Sequence, residues 1–144
     1  MKIALAAALV AIASPVLAWE AGTDGTLCTL THAEPGVDVR LTFDPTIPLY
    51  TISVAGDGPW PVAPAFAMQF VGPRPNTITT DRHVLGPDRA RLTVADRGFG
   101  NVLDGLAFNR SALARSGDRI VEMSLDTAAE AVEAFRNCGA TPSV

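Results

Sequence analysis

Two cysteines, Cys28 and Cys138, stand near opposite ends of the chain, and it has no others. If they join, the first and last structural elements must lie side by side in any fold the chain adopts. Two cysteines allow one intramolecular pairing, and such a bridge persists where thiols oxidise. In the chain-entropy description, closing a loop of ~100 residues stabilises the fold by about 4–5 kcal/mol. Two free thiols or a bridge between copies are the alternatives. The spacing excludes a thioredoxin-type C-x-x-C centre, so the expectation is a structural disulfide between Cys28 and Cys138.

The start of the chain points to an oxidising compartment. Lys2 precedes an uncharged apolar run from Ile3 to Ala13, Ser14-Pro15 breaks it, and Val16-Leu17-Ala18 offers small residues at the −3 and −1 positions of a cleavage site. The run is shorter than the ~20 residues of a membrane-spanning helix, which argues against an uncleaved anchor. Leu27 precedes Cys28 where lipid attachment needs a small residue, which argues against a lipoprotein. Residues 1–18 are therefore expected to be a signal peptide. Residues 19–144 are expected to form a single mature domain in the periplasm, or secreted beyond it, with no membrane insertion.

Charge narrows the partners. The whole chain carries a formal net charge of −4, and cleavage would remove its only lysine, Lys2. An acidic surface repels phosphate backbones and anionic lipid heads, so no nucleic-acid partner is expected. Without lysine, Schiff-base chemistry on that residue is excluded.

Most of the middle reads as short strands. Val37, Val39, Leu41 and Phe43 alternate with Asp38, Arg40, Thr42 and Asp44, putting the apolar side chains on one face and the charge on the other. Leu49 to Ala55 forms a second such strand, with Tyr50, Ile52 and Val54 inward. Gly56 to Pro61 is a turn. Phe66, Met68 and Phe70 mark a third strand. Ile78 to Leu85 and Arg91 to Ala95 read as a hairpin around Gly86-Pro87-Asp88. Gly25 to Ala33 reads as a strand with Cys28, Leu30 and His32 on one face.

After Asp96 the pattern changes. Asn101 could cap a short helix carrying Val102, Leu103 and Leu106, and Ser111 to Arg115 could add a helical turn. Val121, Met123 and Leu125 read as a last half-buried strand. A C-terminal helix follows, with Thr127-x-x-Glu130 as a capping box. Ala128, Ala131, Val132, Phe135 and Cys138 form one apolar stripe, and Gly139 and Pro142 end the helix. The expected fold is mainly β, an antiparallel sandwich or partly open barrel, with the C-terminal helix packed on the sheet.

The candidate chemistry is sparse. Asp81 and His83 are two apart on an expected strand, so they share a face that could orient an imidazole or supply half a metal site. A zinc site needs three or four ligands. His32, Glu34 and Asp38 would have to converge from elsewhere at no recognised spacing, so no metal and no cofactor is expected. Asp-Arg occurs four times (Asp81-Arg82, Asp88-Arg89, Asp96-Arg97, Asp118-Arg119). Neighbours on a strand face opposite ways, so these pairs read as turns or bridges to other strands.

Asp96 to Asn101, with Arg97, Phe99 and Asn101 around Gly98 and Gly100, reads either as a binding loop or as a tight connection with Phe99 in the core. It lacks the third glycine of a dinucleotide fingerprint, since Leu103 stands there. Trp60, between Pro59 and Pro61, reads as a binding aromatic or as a plug over one end of the sheet. Asn109-Arg110-Ser111 matches a glycosylation acceptor, which carries no meaning if the expected export is bacterial. There is no G-x-S-x-G, H-E-x-x-H, Walker A loop or C-x-x-C-H.

Through Asp81-Arg82-His83, Asp96 to Leu106 and Phe108-Asn109, the chain resembles short exported alphaproteobacterial proteins of unknown function, some of which carry the label of an ABC excinuclease component. More loosely, strands followed by an Ala-rich C-terminal helix resemble the invasion-associated locus B proteins, β-rich periplasmic domains. The excinuclease label implies an ATP-driven helicase-like protein with a phosphate-binding loop and a basic groove. An acidic single domain with no Walker A loop has neither. The sequence thus points to a non-enzymatic envelope module that binds a partner protein or small ligand through Trp60 and the Arg97–Asn101 loop. The alternative is a small hydrolase or metal-dependent enzyme built on Asp81 and His83.

Overall fold

In the computed structural model, residues 7–10 and 18–138 are described; residues 1–6 and 11–17 of the expected signal peptide, together with Gly139 and Pro142, lie outside them. Period-two alternation organises the first third of the domain into a meander. Strands β1 (Glu20–Asp24), β2 (Leu27–Glu34), β3 (Val37–Asp44) and β4 (Leu49–Gly56) each run antiparallel to the next. Leu30, Val39, Leu41, Ile52 and Val54 face inward and are buried. Asp38, Arg40, Thr42, Thr51 and Ser53 form the opposite face, where Thr42 and Thr51 share a 2.5 Å hydrogen bond between strands. In the β3–β4 turn, Asp44 accepts bonds from the Thr46 hydroxyl (2.6 Å) and backbone N–H (2.9 Å). The hydroxyl bond first, and the backbone bond with it, holds the Asp44 carboxyl below the usual aspartate range.

Strands β5 (Phe66–Val71) and β6 (Asn76–Thr80) start a second sheet, and β7 (Val84–Leu85) and β8 (Arg91–Asp96) return to the first. Helix α1 (Gly100–Ala107), the hairpin β9 (Ser111–Ser116) and β10 (Arg119–Ser124), and helix α2 (Ala128–Cys138) complete the described elements. The six-stranded sheet has the order β1-β2-β3-β4-β8-β7 and the four-stranded sheet β10-β9-β5-β6. All pairings are antiparallel. The sheets share no strand, so the fold is the expected sandwich and not a closed barrel.

Three elements depart from the sequence expectation, each for a local reason. The strand expected over Ile78 to Leu85 is two strands in different sheets: β6 pairs with β5, and β7 with β8. The chain crosses between layers at Asp81-Arg82-His83, and the Gly86-Pro87-Asp88 loop joins β7 to β8 as expected. The helical turn expected at Ser111 to Arg115 is strand β9. Its inward residues are Ala112, Ala114 and Ser116, small buried side chains that lie in register beside Phe70, Met68 and Phe66 of the neighbouring β5. Gly117, at φ 57, then makes the tight turn to β10. Strand β1 gave no alternation because all five of its residues are exposed.

Helix α1 begins one residue before Asn101, with Phe99 at the N-cap and no side-chain cap bond. Helix α2 presents the predicted stripe, Ala128, Ala131, Val132 and Phe135, to the core. Its capping box does not form. Thr127 sits at φ 66, and its hydroxyl instead accepts the backbone N–H of Trp19 at 3.0 Å. The helix packs on β1, β2 and α1, and Cys138 is bonded to Cys28 across 110 residues of sequence. The bridge originates on the buried stripe and ends on the inward face of β2, as the spacing predicted.

Candidate functional site

The two sheets differ in width, and that difference makes the main cavity. On one flank α2 packs on β1 and β2. On the other flank β5 and β6 face β4 and β8 across a groove of about 620 Å³, within the range of small-molecule sites. Phe66 and Met68 of β5, Ile52 of β4, and the half-buried Ile78 and Val94 form its apolar walls. Thr79, Thr80, Asp81 and Arg82 line one rim, and Asp96 at the end of β8 adds a second carboxylate to the lining. The strand-to-helix connection Gly98-Phe99-Gly100-Asn101 lines another rim.

The connection is placed by Phe99. Its side chain is 4% exposed and stacks on Tyr50 with ring centroids 5.4 Å apart, and Tyr50 in turn stacks on Phe43 at 4.3 Å. Phe99 thus belongs to the core and forms part of the groove wall at the same time. Val102 and Asn101, on the first turn of α1, continue the wall and rim. Arg97 points elsewhere: it is exposed, it does not line the groove, and its backbone N–H bonds to Asp96 Oδ1 at 2.6 Å.

Of the other sequence candidates, Asp81 joins this rim and the rest do not. Trp60 is fully buried, with its indole N–H donating to the Val54 carbonyl at 3.0 Å, so it is the plug and not a surface aromatic. It lies one layer behind the groove, edge-on to Phe66 at 6.3 Å and under the guanidinium of Arg119 at 5.4 Å. His83 is half-buried, and its Nε2 donates to the Ala63 carbonyl at 3.1 Å. Asp81 and His83 share no hydrogen bond, because the strand that would have aligned them ends at Thr80.

His32 is committed elsewhere. It is buried, stacked on Trp19 at 4.7 Å, and bonded through Nε2 to Glu34 at 2.7 Å. Glu34 Oε2 also accepts the Ser124 backbone N–H at 3.2 Å, and Ser124 O accepts the Trp19 indole N–H at 2.8 Å. Asp38 pairs with Arg91 on the outer face. Among the described residues no three histidines, cysteines or acids are grouped as a metal site. The ion pairs Arg40–Asp24, Arg91–Asp38 and Arg136–Asp104 each join different elements, and none lies within an Asp-Arg dipeptide.

Asp81, Phe99 and Asn101, singled out in the sequence, line the groove, while its other apolar wall residues gave no such signal. Ile52, Met68, Ile78 and Val94 read as core positions, and nothing local says that the sheet opposite stops short. Fold and groove together define an antiparallel two-sheet sandwich with a lateral apolar groove. Comparison with protein-family models, curated proteins and solved structures finds no match.

Proposed function

We propose that this chain is an exported, non-catalytic binding domain of the bacterial envelope that holds an apolar molecule in the groove between its sheets. The observation that carries the reading is the groove itself: a concave site of ligand size whose apolar walls are bordered by a polar rim that includes the charged Asp81, Arg82 and Asp96. The Cys28–Cys138 bridge agrees with residence in an oxidising compartment such as the periplasm. Among the described residues, no helix is long and apolar enough to cross a membrane. A catalytic reading would need Asp81 and His83 to act together, and their side chains bond to different partners or to none. The resemblance to short exported alphaproteobacterial proteins is in keeping with export and adds no activity.

A fluorescent apolar probe such as an anilinonaphthalene sulfonate tests this. The protein should bind it saturably at one site per chain. Ile78→Trp or Val102→Trp, which enlarge half-buried wall residues, should weaken binding by about tenfold or more, a change of ~1.4 kcal/mol. Thr31→Ala, on the outer face, should leave it unchanged. Absence of saturable binding, or equal loss in all three variants, would overturn the proposal.

A further inference from the structure

The charged side chains of the groove are not paired with one another. Asp81, Arg82 and Asp96 all line it, yet none takes part in an ion pair among the described residues. Asp96 accepts the neighbouring Arg97 backbone N–H through Oδ1 at 2.6 Å and bonds to no other side chain there. Arg82 donates its backbone N–H to the Thr80 hydroxyl at 3.1 Å, and its guanidinium makes no hydrogen bond among the described residues. Groups of both signs therefore border one cavity, and each keeps its charge available to an occupant.

Two glycines make room at the same place. Every other described glycine has either a positive φ or an atom within 4 Å of where a Cβ would stand. Gly98 and Gly100 have neither, so neither backbone conformation nor packing requires glycine at these positions. Alanine at such positions stabilises a fold by narrowing the unfolded ensemble. Both glycines line the groove between Asp96 and Asn101, with Phe99 buried in the core between them. Their missing side chains leave a bare stretch of backbone in the lining, beside the charged rim.

Building on the reading of the groove as a ligand site, we propose that its occupant is a small amphiphile with a zwitterionic head. The apolar chain lies along Phe66, Met68, Ile78 and Val94, and the head rests on the bare backbone of Gly98 and Gly100. There the anionic group of the head meets Arg82, whose guanidinium matches phosphate or carboxylate oxygens. Its ammonium meets the carboxylates of Asp81 and Asp96. A head of one sign alone would be repelled by one part of the rim.

Isothermal titration calorimetry with three probes of equal chain length, each below its micelle concentration, tests this. Dodecylphosphocholine should bind about tenfold more tightly than dodecyltrimethylammonium or dodecyl phosphate. Arg82→Gln should reduce it to the level of the cation, and Asp81→Asn/Asp96→Asn to the level of the anion. Gly98→Ala and Gly100→Ala should each weaken it by about tenfold or more while melting no lower than the wild type. If the three probes bind alike while the anilinonaphthalene sulfonate still binds at one site, the groove reading stands and the head-group assignment is overturned. Failure of all four probes would overturn both. Glycine variants that bind normally, or charge variants that keep the full preference for the zwitterion, would also overturn the assignment.

Discussion

Gly105 sits mid-helix in α1, where glycine costs roughly 1 kcal/mol relative to alanine. The cost is accepted because a Cβ there would lie 2.4 Å from two carbons of the Phe70 ring. The helix is seated directly on an aromatic side chain of β5, and Asn109 fixes the seat. Its amide donates to Gly105 O at 3.0 Å and Arg74 O at 2.8 Å, and its carbonyl oxygen accepts the Arg74 N–H. Gly105→Ala should therefore destabilise the protein by about 1–3 kcal/mol through overpacking, despite the better helix propensity of alanine. Urea denaturation followed by circular dichroism measures it; an increase in stability would show that Phe70 can move aside. Asp104-Gly105-Leu106 and Phe108-Asn109 stand out in the sequence without declaring their purpose. Their role depends on a ring thirty-five positions away in sequence, and spacing cannot report that.

The N-terminal strand is held by a residue outside it. Trp19 is 4% exposed, although every residue of β1 after it is exposed. It stacks on His32 of β2, donates its indole N–H to Ser124 at the end of β10, and gives its backbone N–H to Thr127 at the start of α2. One residue thereby fastens both sheets through its ring and the last helix through its backbone. Trp19→Ala should cost about 3–5 kcal/mol, as large aromatic truncations in cores do. Hydrogen exchange should show the loss first in β1 and at the Ser124 end of β10, where the ring makes its contacts; uniform loss across the domain would contradict the latch. Elements with one buried face, such as β3, β5 and α2, were legible because burial writes a period into the sequence. β1 has no buried face and β9 packs only alanines and a serine inward, so neither wrote one. The break between β6 and β7 was hidden because both halves are β-forming, and the change of sheet is a tertiary event.

For the molecule as a whole, the Cys28–Cys138 bond joins the second strand to the last helix. Cys28→Ser with Cys138→Ser should lower stability by about 2–4 kcal/mol, read as a fall in the thermal midpoint. Intact-mass analysis of the native protein should find no alkylatable thiol before reduction and two after it; two thiols before reduction would refute the bond. Fold class and bridge were readable from alternation, stripe and cysteine count. The groove was not, because it comes from a mismatch between six strands and four, and no single strand encodes the width of the sheet facing it. The bridge also has a mechanical meaning. Tension applied to the two ends of the folded chain passes from β1 into Cys28, across the sulfur pair and out through Cys138. The strands and helix between them form a closed ring in parallel with that short path, so the walls of the groove stay unstressed while the covalent link carries the pull.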